Sequence, residues 1–388
     1  MQWLRALRPR VATPLRVALT RSRSSCATSV SPPFRVLFFG TDDVSLATLR
    51  RLHANSLETD ADKRLVDSIH VICPSDRKVG GGRGKKADAV PVKRFALQHG
   101  LDVTHTPPEL KSLKKWHPEV LETEAFDVGV VVSFGYFLHP HLLDKIPHGA
   151  INMHPSLLPK YRGPAPIHHA LLNGDATTGV SVIEIDPRAF DVGRILLQKP
   201  FEVPANITSG PLSVQLAELG AECVLETLAA LKERKAHAVT QDDALATHAP
   251  KIKLSDGFLT LNETADEIFY RWQALSDSVG LSVHFKDKDV KLVELHRPTQ
   301  DELRAVRDEE QRVCAASGDA GFAPGAFFFD KKLQALWLKC NGDSWLLVTK
   351  LQQADRKVGG AIDFANGYRL KRSLQQFERV TDGGRTPP

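Results

Sequence analysis

The chain has 388 residues, 42% of them hydrophobic and 25% charged, with a formal net charge of +5. At roughly 100 to 200 residues per domain, this length implies about two domains with real cores and excludes wholesale disorder or a collagen-like chain. The most apolar stretch, Val128 to Leu138, is interrupted by Gly129, Ser133 and Gly135, so no run of about 18 apolar residues exists and no membrane partner is expected.

The charge is unevenly spread. Residues 1–33 hold Arg5, Arg8, Arg10, Arg16, Arg21 and Arg23 and no acid, and without these six the formal charge falls from +5 to −1. An Arg-rich, Ser/Thr-rich, acid-free start has the composition of a mitochondrial transit peptide, and a basic tail touching nucleic acid is the alternative. The five cysteines (Cys26, Cys73, Cys223, Cys314, Cys340) are scattered and never spaced C-x-x-C, which points to a reducing compartment rather than a disulfide framework or zinc site.

Beyond the leader, Phe34 to Gly40 reads as a buried strand ending in a glycine turn, and Leu46, Leu49 and Leu52 mark one face of the helix behind it. Apolar runs at Ile69 to Cys73, Asp127 to Ser133 and Ala150 to His154 predict a parallel sheet covered on both faces. Val180 to Ile185 and Ile195 to Val203 predict a hairpin extending it. A long amphipathic helix from Ser213 to Arg234 then closes an α/β domain over residues 34–240.

The polar stretch 241–255, with Pro250, reads as a linker. Thr264 and Glu267 form a capping-box pattern for a helix through Leu275. Strand-like segments follow at Leu281 to Phe285, Lys291 to His296, Gly325 to Phe329, Leu333 to Cys340 and Ser344 to Leu351. Five short strands and one helix predict an OB-like β-barrel domain over residues 256–388.

The residues with most chemical content end the Ala150 to His154 strand. With a period of two, Asn152 and His154 project to one face while Ile151 and Met153 face the other. That places an amide and an imidazole where a parallel sheet has its ligand crevice. An Asn amide donates to a developing oxyanion, and imidazole adds a second donor or moves a proton near neutral pH, a pairing suited to acyl transfer. The same two residues at a strand end also serve to satisfy turn backbone. The loop Asp186 to Gly193, between the hairpin strands, brings a carboxylate within range: Asp191 or Asp186 beside His154 would fix its tautomer and favour its protonated form, and capping a turn is the plainer role for either.

The run Asn152-Met153-His154-Pro155-Ser156-Leu157-Leu158-Pro159, the following Tyr161-Arg162-Gly163-Pro164-Ala165-Pro166-Ile167 and the downstream Phe190-Asp191-Val192-Gly193 resemble the folate-dependent formyltransferases, within them the branch that acts on methionyl-tRNA. The resemblance is strongest over residues 34–260 and extends through Asp363 to Arg369. It implies a Rossmann-like formyltransferase domain followed by the OB-like barrel. It also implies 10-formyltetrahydrofolate as co-substrate, initiator methionyl-tRNA as partner, and a monomer in mitochondria. Asn152, His154 and Asp191 then take the catalytic places, and Ser156, Leu157, Leu158 and Pro159 the folate-contacting segment. Pro155 and Arg194 depart from what bacterial members often carry.

Within Ser75 to Lys86, Arg77, Lys78, Arg83, Lys85 and Lys86 stand against Asp76 alone, and glycines allow close backbone approach to phosphates. Arg83, Lys85 and Lys86 are therefore candidate tRNA contacts, with a solvated flexible loop as the alternative. A second basic surplus lies from Lys350 to the end. No metal site is expected, since His168 and His169 lack a matched carboxylate or cysteine spacing. Two rival readings remain: another folate enzyme sharing the same trio, such as a formyl-folate hydrolase, or a non-catalytic RNA-binding protein.

Overall fold

The apolar runs of the first half become one sheet in the computed structural model, which describes residues 31–78, 87–317, 321–370 and 373–379. The arginine-rich start up to residue 30, and Arg83, Lys85 and Lys86, lie outside the described residues. The strands are Phe34–Gly40 (β1), Val66–Pro74 (β2), Asp102–Thr106 (β3), Val128–Val132 (β4), Ala150–His154 (β5), Thr177–Glu184 (β6) and Ile195–Glu202 (β7). Their spatial order is β3-β2-β1-β4-β5-β6-β7, with β1 to β5 paired in parallel and the β6–β7 hairpin antiparallel. The edge strand β3, Asp-Val-Thr-His-Thr, is not among the predicted elements: only Thr106 is fully buried, so the segment carries almost no apolar signal.

Alternation sorts the core into two layers. Val36 and Phe38 of β1 join Ile151, Met153 and the helix Ser209–Ala229 on one face; Leu37 and Phe39 join Leu113, Trp116 and Ala150 on the other. Ile151 and Met153 are thus anchors of the first layer, and a Cβ at Gly220 would lie 2.7 Å from the Met153 sulfur. Asn152 and His154 are left on the opposite face.

The chain leaves β1 toward β2 and β3, then returns to the other side of β1 at β4, so the ligand crevice of such a sheet lies beyond the carboxyl ends of β1 and β4. Asp42 stitches that point: one oxygen caps the helix Asp43–Ser56 through Ser45 N–H, and the other accepts the Ser133 hydroxyl.

The second sheet is antiparallel, in the order Leu281–Phe285, Lys288–His296, Trp345–Gln353, Ala335–Lys339, Ala326–Asp330 and Gln375–Gln376. Gln376 pairs with Ala326 while Glu378 exchanges backbone hydrogen bonds of 2.9 and 2.8 Å with His284, so the final segment joins both edges into the expected OB-like barrel. The capping box at Thr264 and Glu267 forms. Two helices, Gln300–Ser317 and Ala361–Gly367, add to the one predicted. The first is charged along most of its length; only a thin stripe including Leu303 and Val306 packs on Trp337 and Trp345.

The two sheets are firmly joined. Buried Gln273 donates to the carbonyls of Ile207 (2.8 Å) and Ala205 (3.1 Å), and Asp277 accepts the Gly210 N–H at 2.7 Å. Among the described residues no helix is long and apolar enough to cross a membrane.

Asp127, 1% exposed, sits under β1 and accepts the Arg35 backbone N–H (2.8 Å) and its Nε (2.9 Å), with the guanidinium 2.6 Å from the other oxygen. Asp127→Ala removes the hydrogen bonds that this buried carboxylate accepts from Arg35, so it is expected to destabilise the protein by about 1 to 3 kcal/mol, measured as a fall in Cm in denaturant unfolding.

Candidate active site

His154 ends β5 and is 5% exposed. Its Nε2 lies 2.8 Å from the Tyr161 carbonyl oxygen, which can only accept, so that nitrogen carries a proton. Nδ1 faces Asp191 Oδ1 at 3.6 Å, an ion-pair separation longer than a hydrogen bond. Asn152, half-buried on the same face, has a side-chain amide with no hydrogen-bond partner among the described residues. A donor on the same face as a ring nitrogen without a short bond can serve an oxygen of a bound substrate.

Of the two acids open to this role, the structure brings Asp191 to the ring. Asp186 is taken by Arg188, whose guanidinium and backbone N–H bond it at 2.7 to 3.0 Å and hold its carboxyl below the usual range. Asp191 adopts a left-handed backbone conformation (φ 57°), and its Oδ2 accepts the Gly163 N–H at 2.9 Å, leaving Oδ1 toward His154. The loop is tight: a Cβ on Gly193 would meet the Glu184 carbonyl oxygen at 1.7 Å.

The presenting turn is equally constrained. Tyr161, at φ 71°, is a bulky residue in a region that costs about 1 to 3 kcal/mol and persists only where surroundings over-determine it. Its N–H donates to Thr247 Oγ1 (2.9 Å) and its hydroxyl to Asp175 (2.6 Å), while Asn173 donates to that hydroxyl at 2.9 Å. Burial, followed by the Asp175 carboxylate, pushes the phenol pKa up, so it stays a donor.

In the segment expected to contact folate, Ser156 and Leu158 are buried. Ser156 Oγ donates to the Lys160 carbonyl (2.7 Å), Ser181 Oγ donates to the Ser156 carbonyl (2.6 Å), and Gln198 donates to the Leu158 carbonyl (2.8 Å). Leu157 and Pro159 are the partly exposed members. Nearby, Phe137 meets Phe190 edge to face at 5.1 Å, and Phe190 is 59% exposed. The Asp191 loop also walls a cavity of about 330 Å³ lined by residues including Ala150, Ile185 and Pro187, but none of the trio lines it.

Sequence reasoning does not single out Arg162, Gln241 or Thr247. Arg162 stands in the formyltransferase-like motif without a role. Gln241 has no local signal at all, since its partners lie 48 to 79 positions away. Stretch 241–255, which reads as a linker, runs beside the site, with Arg162 N–H bonded to the Thr247 carbonyl and Ala249 N–H to the Arg162 carbonyl. Burial pushes the Cys73 and Cys340 thiols up to about 12 and that of Cys223 up to about 11, so none is a thiolate near neutral pH. Among the described residues no group of three or more His, Cys, Asp or Glu is arranged to hold a metal ion.

Comparison with known proteins gives this geometry a context. Residues 34–228 match the formyl transferase family model, and residues 251–369 match the formyl transferase C-terminal domain. The mitochondrial methionyl-tRNA formyltransferase of Bos taurus is 35% identical over 339 residues, 87% of this chain and 78% of its own. The methionyl-tRNA formyltransferase of Nitratidesulfovibrio vulgaris (strain DP4) is 40% identical over 238 residues, 61% of this chain and 68% of its own. The fold is similar to that of an N-formyltransferase from Helicobacter canadensis in complex with folinic acid and dTDP-3-aminofucose, with a TM-score of 0.54 and 15% identity over 81% of this chain and 98% of that one. With both family models matched and a relative this similar along most of its length, the chain belongs to the formyl transferase family.

Proposed function

We propose that this enzyme transfers the formyl group of 10-formyltetrahydrofolate to the α-amine of methionyl-tRNA, making the initiator for protein synthesis in the mitochondrial matrix. The observation that supports the chemistry is the His154 imidazole facing the Asp191 carboxylate at 3.6 Å, with Asn152 on the same face of β5. The acceptor and the compartment rest on the mitochondrial methionyl-tRNA formyltransferases it resembles and on the arginine-rich, acid-free start.

The acceptor amine bonds to the formyl carbon of the folate co-substrate as the carbonyl electrons move to oxygen; when they return, the bond to N10 breaks and N10 takes up a proton, releasing tetrahydrofolate. Asn152 donates its amide hydrogen to the formyl oxygen as that oxygen gains charge. His154, held through Nε2 by the Tyr161 carbonyl, faces Asp191 with Nδ1 and adds a second donor to that oxygen only as imidazolium. Asp191 orients the ring and, directly or through water, takes the proton the amine must lose. Leu157 and Pro159, with the exposed edge of Phe190, offer apolar surface for the folate, and Arg83, Lys85 and Lys86 supply charge for the tRNA backbone.

Single-turnover assays with 10-formyltetrahydrofolate and methionyl-tRNA test the reading. Asn152→Ala is expected to cost about 10² to 10³ in rate, as for loss of an oxyanion donor. His154→Ala and Asp191→Ala should abolish turnover while leaving folding and tRNA affinity intact. Near-normal rates for these variants would end the assignment, and a preference for small amines over charged tRNA would reassign the acceptor.

Gly193→Ala forces the Asp191 loop away from Glu184. A displacement on the order of 1 Å at a reacting group costs about 100-fold, so kcat should fall by about that factor, and because the clash is with backbone the melting temperature should fall as well. Neutralising Arg83, Lys85 and Lys86 should weaken tRNA binding and lower the slope of log K against log salt by up to about one per charge, with folate affinity unaltered.

A further inference from the structure

Gln241 is 7% exposed, and every hydrogen-bonding group of its side chain is used. Its Oε1 accepts Nε and a terminal nitrogen of Arg162 at 3.0 and 2.9 Å. Its Nε2 donates to the backbone carbonyls of Asp191 and Gly193, both at 2.8 Å. Guanidinium is only a donor and a carbonyl only an acceptor, so the amide has one permitted orientation. The terminal nitrogen of Arg162 that meets Gln241 also donates to Asp243 at 2.8 Å.

The consequence reaches the trio. Asp191 is held by its own carbonyl through Gln241 and by Oδ2 through Gly163 N–H, and both ties run to the same turn, since Arg162 and Gly163 are adjacent. The preceding residue, Tyr161, holds His154. Arg162 and Gln241 therefore couple the piece that fixes the imidazole to the loop that fixes the carboxylate.

We propose that Gln241 is a positioning residue for formyl transfer, acting through Asp191: its amide fixes the loop so that Oδ1 faces His154 Nδ1. This rests on the function proposed above. Gln241→Glu is the diagnostic change. It has the same shape and keeps the Arg162 contact, but sets an acceptor against two backbone carbonyls. Arg162 keeps the introduced carboxyl ionised, so the two carbonyls lose their donors while the side-chain volume is unchanged, which a packing role would not register.

The test measures kcat and KM for wild type, Gln241→Glu, Gln241→Met, Asp191→Asn and the double variant Asp191→Asn with Gln241→Glu, using 10-formyltetrahydrofolate and methionyl-tRNA. Gln241→Glu is expected to lower kcat by about 10- to 100-fold, the scale of two lost hydrogen bonds, with each KM within about twofold. The loss should hold from about pH 6 to 8, since the Arg162 guanidinium against the introduced carboxyl keeps it ionised. Gln241→Met, which lacks both the donors and the charge, should lower kcat in the same way, and it keeps the test decisive if the charged variant fails to fold. In the Asp191→Asn background, Gln241→Glu should cost less than about twofold more, because its effect passes through the missing carboxylate.

Rates within about twofold of wild type for both Gln241 variants, a loss carried by KM with kcat unchanged, or full additivity with Asp191→Asn would overturn the positioning role alone. A wild-type protein that transfers no formyl group, or an Asp191→Asn variant as fast as wild type, would overturn the functional reading and this inference with it.

Discussion

Three consecutive residues after β5 form the constraint on which the site depends. The Tyr161 carbonyl holds His154, the Arg162 side chain reaches the Asp191 backbone through Gln241, and the Gly163 N–H holds the Asp191 carboxylate. Each contact needs the turn in an unusual conformation, with Tyr161 at φ 71° and Gly163 at φ 120°. At Gly163 a Cβ would lie 2.8 Å from the Ala249 carbonyl oxygen, so glycine is required by φ and by space together. Strain of this kind survives because the hydrogen bonds to Thr247, Asp175 and Gln241 leave the turn no relaxed alternative that keeps them.

The sheet does the coarser work. One strand delivers apolar side chains to a helix-covered core and polar ones to the crevice, and Met153 against Gly220 pins the register between them. A slip of one residue would turn Asn152 and His154 into that core, so the apolar packing of Ile151 and Met153 is what keeps the polar pair outward. Helix caps and loop ties at Asp42 and Ser133 then hold the neighbouring end of β4.

The barrel is set on this platform by polar contacts as well as apolar ones. Gln273 and Asp277 satisfy backbone groups of 205–210, and Gly174 leaves space for the Tyr270 ring, which a Cβ would meet at 2.5 Å. A large acceptor touching both parts thereby meets a fixed spacing between catalytic end and barrel. Stretch 241–249 belongs to both tasks, since it leads toward the barrel and is stitched to the site on its way.

Local pattern by itself determined the two-part organisation, most of the strands, the capped helix at Thr264 and the shared face of Asn152 and His154, because alternation and capping are properties of neighbouring residues. Motif resemblance added the candidate trio. What pattern missed had weak or misleading local signals: β3 is an edge strand with little to bury, and Gln300–Ser317 hides its thin apolar stripe among charges. Residue pattern left Asp191 and Asp186 both open and the resemblance favoured Asp191; its approach to His154, and the use of Gln241 as the bridge between loops, belonged to the tertiary structure. Those contacts join positions tens of residues apart, and only closure of the backbone around Gly163 and Gly193 brings their hydrogen-bonding groups within reach.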